Sequence, residues 1–266
     1  MKTNFHSLTY AEIQQFHDRG YLGPLTAFSP AQMASFRDII YEKILPPFHS
    51  TNFDGYRRRH LNSSTIFQLC SSPAILDCII SLLGSDIVLW GSNLFEKPPQ
   101  KPEAYPWHQD SQFWKLEPMI TVSAWLAITP ATHNNGCVEV IPGSHHQDMP
   151  TITDRTPGYT KRFWGWAADP NYFNESEKVP LVLDPGQFFL FRERTLHRSG
   201  LNQTQTSRLG LGIRFTIPSV MVKENIDCIL LHGSDSFGLN TYVAPPTSDS
   251  KLNGQKVSLD NNISSR

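Results

Sequence analysis

A mainly β core with helices packed over it is the fold class that this chain of 266 residues predicts. Its 20 prolines interrupt the chain too often for a helical bundle. Beyond Ile87 it breaks into short runs rich in β-branched and aromatic residues, divided by Pro, Gly and Asn turns, as strands are. Before Ile87 the segments carry helix start and stop signals instead. With 39% hydrophobic and 18% charged residues the chain can bury a core, and its length suits one generous domain.

The first helix is expected over Leu8–Gly20, with Thr9 as N-cap and a glycine at its end. YLGPLTAF then reads as an apolar, turn-rich link. Ser29-Pro30 opens a second helix through about Ile44, because proline suits the first turn, and Pro46-Pro47 stops it. A third runs from Ser72-Pro73 to Leu83, apolar enough in AILDCIISLL to pack on a sheet. Strands follow in IVLWGSNLFEK, ITVSAWLAIT, CVEVIP, VPLVLDPG, QFFLFR and RLGLGIRFTIP. Residues 1–241 are thus expected as one domain, with a helical layer over about 8–84 and a β core over about 87–220. The stretch 151–177 is long, irregular and aromatic (Phe163, Trp164, Trp166), which favours a lid over a mere insert. Residues 242–266 are polar and read as a flexible tail.

Lysine and arginine number 23 against 24 acidic residues, a formal charge of −1, so no basic surplus exists to hold nucleic acid. No apolar run approaches the roughly 18–20 residues of a membrane helix, and MKTNFHSLTY carries no secretory-type apolar stretch. The four cysteines (Cys70, Cys78, Cys137, Cys228) form no CxxC pair and read as buried thiols. A cytoplasmic location without membrane or nucleic-acid partners is therefore expected; oligomeric state is not legible.

Chemistry concentrates in YPWHQDSQFW, residues 105–114. His108 and Asp110 are two apart, so a strand would point both side chains to one face. An imidazole and a carboxylate aimed at one point make two thirds of a facial triad for non-haem Fe(II). His197, 89 residues after His108 and beyond the strand-like QFFLFR, suits the third position. Arg208 follows His197 by 11 residues, where it can grip a dicarboxylate with two parallel hydrogen bonds. Each has an ordinary reading: a structural histidine, a surface ion pair. Arg214 falls on the same strand face as Arg208, where a rim salt bridge would explain it equally well. Gln112 and Trp114 line either substrate or core. His145 and His146, in a turn, read as loop packing, and Arg57-Arg58-Arg59 as a solvated face or an attractor for an anionic substrate.

Four ordered blocks make the sequence resemble the phytanoyl-CoA dioxygenase (PhyH)-like family of Fe(II)- and 2-oxoglutarate-dependent oxygenases. They are FHDRGYLGPLTAFSPAQM, WHQD, NNGCVEVIPGSHH and PGQFFLFRERTLHRSGLNQTQTSR, and the likeness covers roughly residues 8–220. The resemblance implies a double-stranded β-helix, a jelly-roll or cupin-like core with helices on its major sheet. It implies that His108, Asp110 and His197 hold Fe(II) and that Arg208 pairs with 2-oxoglutarate. Ser199, Trp125, Asn93 and Tyr105 are implied as further cosubstrate contacts. RRRHL at 57–61, SNLFEK at 92–97 and Arg214 resemble the branch of carrier-dependent halogenases. Those enzymes replace the metal-binding carboxylate by alanine or glycine to admit chloride; here Asp110 is retained, which favours hydroxylation.

The expected reaction uses O₂ to hydroxylate an sp3 carbon of a small metabolite, with release of succinate and CO₂. The substrate would be an amino acid, a specialised-metabolism intermediate, a phosphonate or an acyl group on a carrier protein. Desaturation, cyclisation or epimerisation would need the same residues, while halogenation, which Asp110 disfavours, is the lesser alternative. A catalytically idle ligand-binding β-helix, or a cupin enzyme without 2-oxoglutarate, are the competing classes; the second has no need of Arg208.

Overall fold

The computed structural model describes residues 7–45, 56–99, 104–153, 166–223 and 226–249. Helix α1 (Tyr10–Arg19) starts on a capping box, in which Thr9 accepts from the Glu12 backbone and Glu12 reaches back. It ends at Gly20, whose left-handed φ of 78° suits glycine. Helix α2 (Pro30–Ile39) repeats the device with Ser29 and Gln32, and the expected extension to Ile44 is present as a π-helical turn over Ile40–Ile44. Helix α4 (Pro73–Leu83) agrees with expectation. Helix α3 (Ser64–Cys70) was not expected; Ser63 caps it by accepting from the Ile66 N–H. Among the described residues no single helix is long and apolar enough to cross a membrane.

The strands are β1 (Tyr21–Thr26), β2 (Ile87–Lys97), β3 (Tyr105–His108), β4 (Leu116–Glu117), β5 (Val122–Ala127), β6 (Val138–Val140) and β7 (Thr151–Ile152). They continue as β8 (Ala167–Ala168), β9 (Val179–Leu181), β10 (Gln187–Arg192), β11 (His197–Ser199), β12 (Arg208–Thr216), β13 (Met221–Val222) and β14 (Ile229–His232). A six-stranded antiparallel sheet, ordered β1-β10-β5-β12-β2-β14, faces a four-stranded one, ordered β3-β11-β6-β9. This pair of sheets is a double-stranded β-helix of the cupin type. YLGPLTAF corrects the expectation of a link: it contributes β1, an edge strand. Pro24 is tolerated there because the pairing with β10 shifts register between Leu22 and Leu25. The β core therefore draws strands from both sides of the expected 87–220.

Alternation on β12 sets what each face of the large sheet does. Leu209, Leu211, Ile213 and Phe215 are fully buried and pack with Phe16, Met33, Ile66 and Ile79 of the helical layer. Arg208, Gly210, Gly212 and Arg214 take the opposite face, toward the smaller sheet. Between the sheets lies a second apolar cluster that includes Tyr21, Trp125, Val138, Val140, Phe189 and Phe191.

Residues 242–249 depart from the expected flexible tail. Val243 N–H donates to the Cys228 carbonyl, and the Asp249 carboxylate accepts from Ser63, Thr65 and the Thr65 N–H at the start of α3. The rest of that expected tail, 250–266, lies outside the described residues, as do Phe163 and Trp164.

Candidate active site

The small sheet builds the metal-binding candidates. His108 ends β3 and is the direct cross-strand partner of His197, which opens β11. Their rings stand 4.2 Å apart between centroids. Each Nδ1 sits against a carbonyl two residues earlier, that of Pro106 at 2.7 Å and that of Thr195 at 2.9 Å. The Nδ1–H donates there, which makes each Nε2 the unprotonated nitrogen, the form that binds a metal. Asp110 reaches the same point by a different route from the one expected. The strand stops at His108, and Asp110 begins a single 3-10 turn, Asp110–Gln112. That turn is held by the Ser111 N–H donating to the Glu193 carbonyl at 2.9 Å. Asp110 Oδ1 then lies 3.9 Å from His108 Nε2, and ligand atoms of His108, Asp110 and His197 all fall within 4.8 Å of one another. Two imidazoles and one carboxylate are the donor set of the non-haem Fe(II) facial triad.

Arg208 lies deeper in the barrel. It is only 1% exposed, its Nε has no partner, and among the described residues no carboxylate pairs with it. Its guanidinium carbon stands 5.2 Å above the Trp125 ring, which itself stacks on Phe189. Desolvation lowers its pKa to about 10, still leaving it charged at neutral pH. A buried charge without a counter-ion costs several kcal/mol, so this position is built to receive an anion. Gly210 makes the approach possible: a Cβ there would lie 2.1 Å from a Trp125 ring carbon. Ser199 and Tyr105 are direct partners across β11 and β3, two and three residues from the histidines, and Tyr105 is close enough to Arg208 to act on its charge. The Ser199 hydroxyl donates to the Gly136 carbonyl, and Tyr105 lies under the Lys97 ammonium at 5.0 Å. Arg208, over Trp125, and His197, 5.1 Å from the Phe191 ring, both meet the cluster between the two sheets.

The remaining expected residues are placed elsewhere. Asn93 turns toward Arg214 rather than Arg208, accepting from its Nη1 at 3.3 Å when the amide oxygen faces it. Gln112 donates to the Met149 carbonyl at 2.9 Å. Trp114 packs edge-on against Trp90 at 5.0 Å, with the Arg214 guanidinium 5.0 Å from its ring. Arg59 is fully buried, not part of a solvated face. Trp166, from the stretch expected as a lid, lies 5.2 Å from Phe113, whose ring is 5.9 Å from that of His108. Phe113 was not singled out in the sequence, although its place three residues after Asp110 on a turn brings it back over the triad.

The PhyH family model, phytanoyl-CoA dioxygenase, matches residues 16–210. This chain belongs to the PhyH family. The match contains His108, Asp110, His197 and Arg208. Human peroxisomal phytanoyl-CoA dioxygenase is 30% identical over 155 residues, which cover 56% of this chain and 45% of that protein. The chain thus matches less than half the length of that relative. Among solved structures, the PhyH-family chain is similar to a non-haem monooxygenase, ThoJ in a nickel complex, with a TM-score of 0.74, 25% identity and 89% of each chain covered. CytC3 with Fe(II) and α-ketoglutarate shares the fold at a TM-score of 0.69 and 23% identity, covering 90% of this chain and 93% of that one.

Proposed function

We propose that this chain is an Fe(II)- and 2-oxoglutarate-dependent dioxygenase that hydroxylates an sp3 carbon of a small metabolite. The observation that carries this is Arg208, a buried guanidinium with no carboxylate partner among the described residues, on the large-sheet face that looks toward the strands of His108 and His197. His108, Asp110 and His197 would hold the iron, and Arg208 the distal carboxylate of 2-oxoglutarate. Iron in that site supplies the oxidation of 2-oxoglutarate by O₂ that activates a substrate C–H bond, giving the hydroxylated product, succinate and CO₂. The chain itself orients and dries the site. Trp125 supports the guanidinium, Ser199 and Tyr105 would flank the bound 2-oxoglutarate, and Phe113 covers the His108 side of the triad. Asp110 supports hydroxylation over halogenation, because a carboxylate fills the position that a halide would need. The substrate, free or tethered to a carrier protein, approaches from the side of the triad away from Arg208. Four free, buried cysteines support a reducing compartment, the cytoplasm.

Anaerobic addition of Fe(II) and 2-oxoglutarate is expected to give a weak visible charge-transfer band. His108→Ala is expected to remove the band and all succinate formation; succinate formed at the wild-type rate in that variant rules the assignment out. Arg208→Ala is expected to raise the 2-oxoglutarate requirement about 30-fold or more, the scale of losing one partner of a buried charge pair. Normal turnover in Arg208→Ala points instead to a cupin enzyme that uses no 2-oxoglutarate.

A further inference from the structure

Arg214 stands level with the triad and not with the cosubstrate end. Phe191, Ser123, Arg214 and Gly91 are successive partners across four adjacent strands of the large sheet. The Phe191 ring is 5.1 Å from that of His197, so this row lies at the height of the candidate ligands. Arg208 starts the same strand six residues earlier, about 20 Å away along the backbone. Only Gly210 and Gly212 occupy the inner face between them. One strand therefore carries two inward arginines separated by a floor without side chains. If 2-oxoglutarate lies between triad and Arg208, Arg214 borders the other approach to the metal.

Its surroundings fix the guanidinium and supply more donors. The cation rests 5.0 Å from the Trp114 ring and 5.9 Å from that of Trp90, two indoles that pack edge to face. Gly91 leaves room beside it: a Cβ there would sit 3.4 Å from Arg214 Cδ. Ser123, its direct partner on β5, is 2% exposed and its hydroxyl has no hydrogen-bond partner among the described residues. A buried hydroxyl of this kind costs free energy until it bonds. Arg58 adds positive potential nearby, since it and Arg214 both bear on His60. Arg58 also holds the left-handed backbone conformation at φ 53°, rare for a residue with a Cβ and a form of strain that clusters at functional sites. On the metal side the apolar ring of Phe113 lies 5.9 Å from that of His108, with Trp166 beyond it at 5.2 Å.

We propose that Arg214, with the Ser123 hydroxyl beside it, binds a carboxylate of the substrate, so that the preferred substrate is an acid with an apolar body lying beneath Phe113. A guanidinium fork matches a planar carboxylate by two parallel hydrogen bonds, and Ser123 provides a third donor. With the acid group held on this row, an aliphatic carbon a few bonds away is presented to the metal. The proposal rests on the oxygenase reading for the orientation of its substrate, though not for the binding of the anion.

Calorimetric titration of the Fe(II)- and 2-oxoglutarate-loaded protein without O₂ tests it, using octanoate, its neutral analogue octanamide, and octyl phosphate. Octanoate is expected to bind about 10-fold or more tightly than octanamide. Arg214→Leu is expected to weaken octanoate about 30-fold while leaving octanamide within about 2-fold. Ser123→Ala is expected to weaken octanoate by about 5-fold, the scale of one hydrogen bond. Arg214→Gln, similar in length, serves if the leucine variant does not fold, with the same expected selectivity for the acid. Equal binding of acid and amide, no binding of the acid, or equal loss of both in Arg214→Leu overturns the proposal. Octyl phosphate binding about 10-fold more tightly than octanoate overturns the carboxylate assignment in favour of a phosphorylated substrate. Failure of the oxygenase reading shows separately, as a missing charge-transfer band. The same titrations of the metal-free protein then still report on Arg214.

Discussion

Gln109, between the two candidate ligands of the WHQD run, is fully buried. Its amide nitrogen donates to the carbonyls of Gln147 at 2.8 Å and Arg194 at 2.7 Å, and its oxygen accepts from the Met149 N–H at 2.9 Å. One side chain thereby fixes the end of β3, the loop after the PGSHH turn, and the turn that leads into His197. In the sequence it reads only as a spacer, because its partners are backbone groups that are distant along the chain. Gln109→Leu, of similar volume, leaves those groups unpaired and loosens the positions of His108, Asp110 and His197 together. Fe(II) affinity is expected to fall about 10- to 100-fold, as when the supports of metal ligands are removed. Anaerobic Fe(II) titration of both proteins checks this; equal affinities would show that the triad stands without Gln109.

At the level of elements, β12 carries both the fold and the chemistry. Its leucines, isoleucine and phenylalanine bind the helical layer, while its arginines and glycines face the smaller sheet and the candidate site. RLGLGIRF shows this division by period-two alternation alone, and the placing of both arginines on one face followed from it. The role of the glycines did not, since it depends on the Trp125 ring of a neighbouring strand. Gly210→Ala drives a methyl group into that ring, which Phe189 below and Arg208 above prevent from moving freely. A cost of about 1–3 kcal/mol in stability is expected from such overpacking. A weaker grip on 2-oxoglutarate should accompany it, because Arg208 loses its support. A thermal melt and a 2-oxoglutarate titration measure the two; a variant unchanged in both would contradict the packing described. Strand β1 shows the opposite limit of pattern reading, because its proline and glycine masked a strand that only a register shift at the sheet edge allows.

Across the whole molecule, the helical layer seals the back of the large sheet and buries ionisable groups there. His60 is fully buried, with Nδ1 2.8 Å from Ser92 Oγ on β2. Burial first, then the charges of Arg58 and Arg214, lower its pKa from 6.5 to about 3. The folded state thus holds His60 neutral where the unfolded chain protonates it. Stability from this group is present above pH 6.5 and is lost as pH falls from 6.5 toward about 3, by up to about 1.4 kcal/mol per pH unit. His60→Gln, which does not titrate, is expected to flatten that part of the profile. Urea midpoints at pH 7 and pH 5 for both proteins test this; an unchanged difference would show that His60 is not held neutral.

The sequence alone determined the ingredients: an N-terminal helical layer whose caps are local side-chain bonds, strands whose alternation is local, and the residue types of a candidate iron site with the arginine proposed for its cosubstrate. Local signals survive in one dimension because their partners lie within a few residues. The tertiary structure decided which of these residues meet. It brought Asp110 to the histidines by a turn instead of a strand, gave Asn93 to Arg214, made Gln109 a tie between three segments, and left Arg208 without a counter-ion among the described residues. Each of those depends on desolvation and on contacts between elements far apart in the chain, quantities that no window of residues contains.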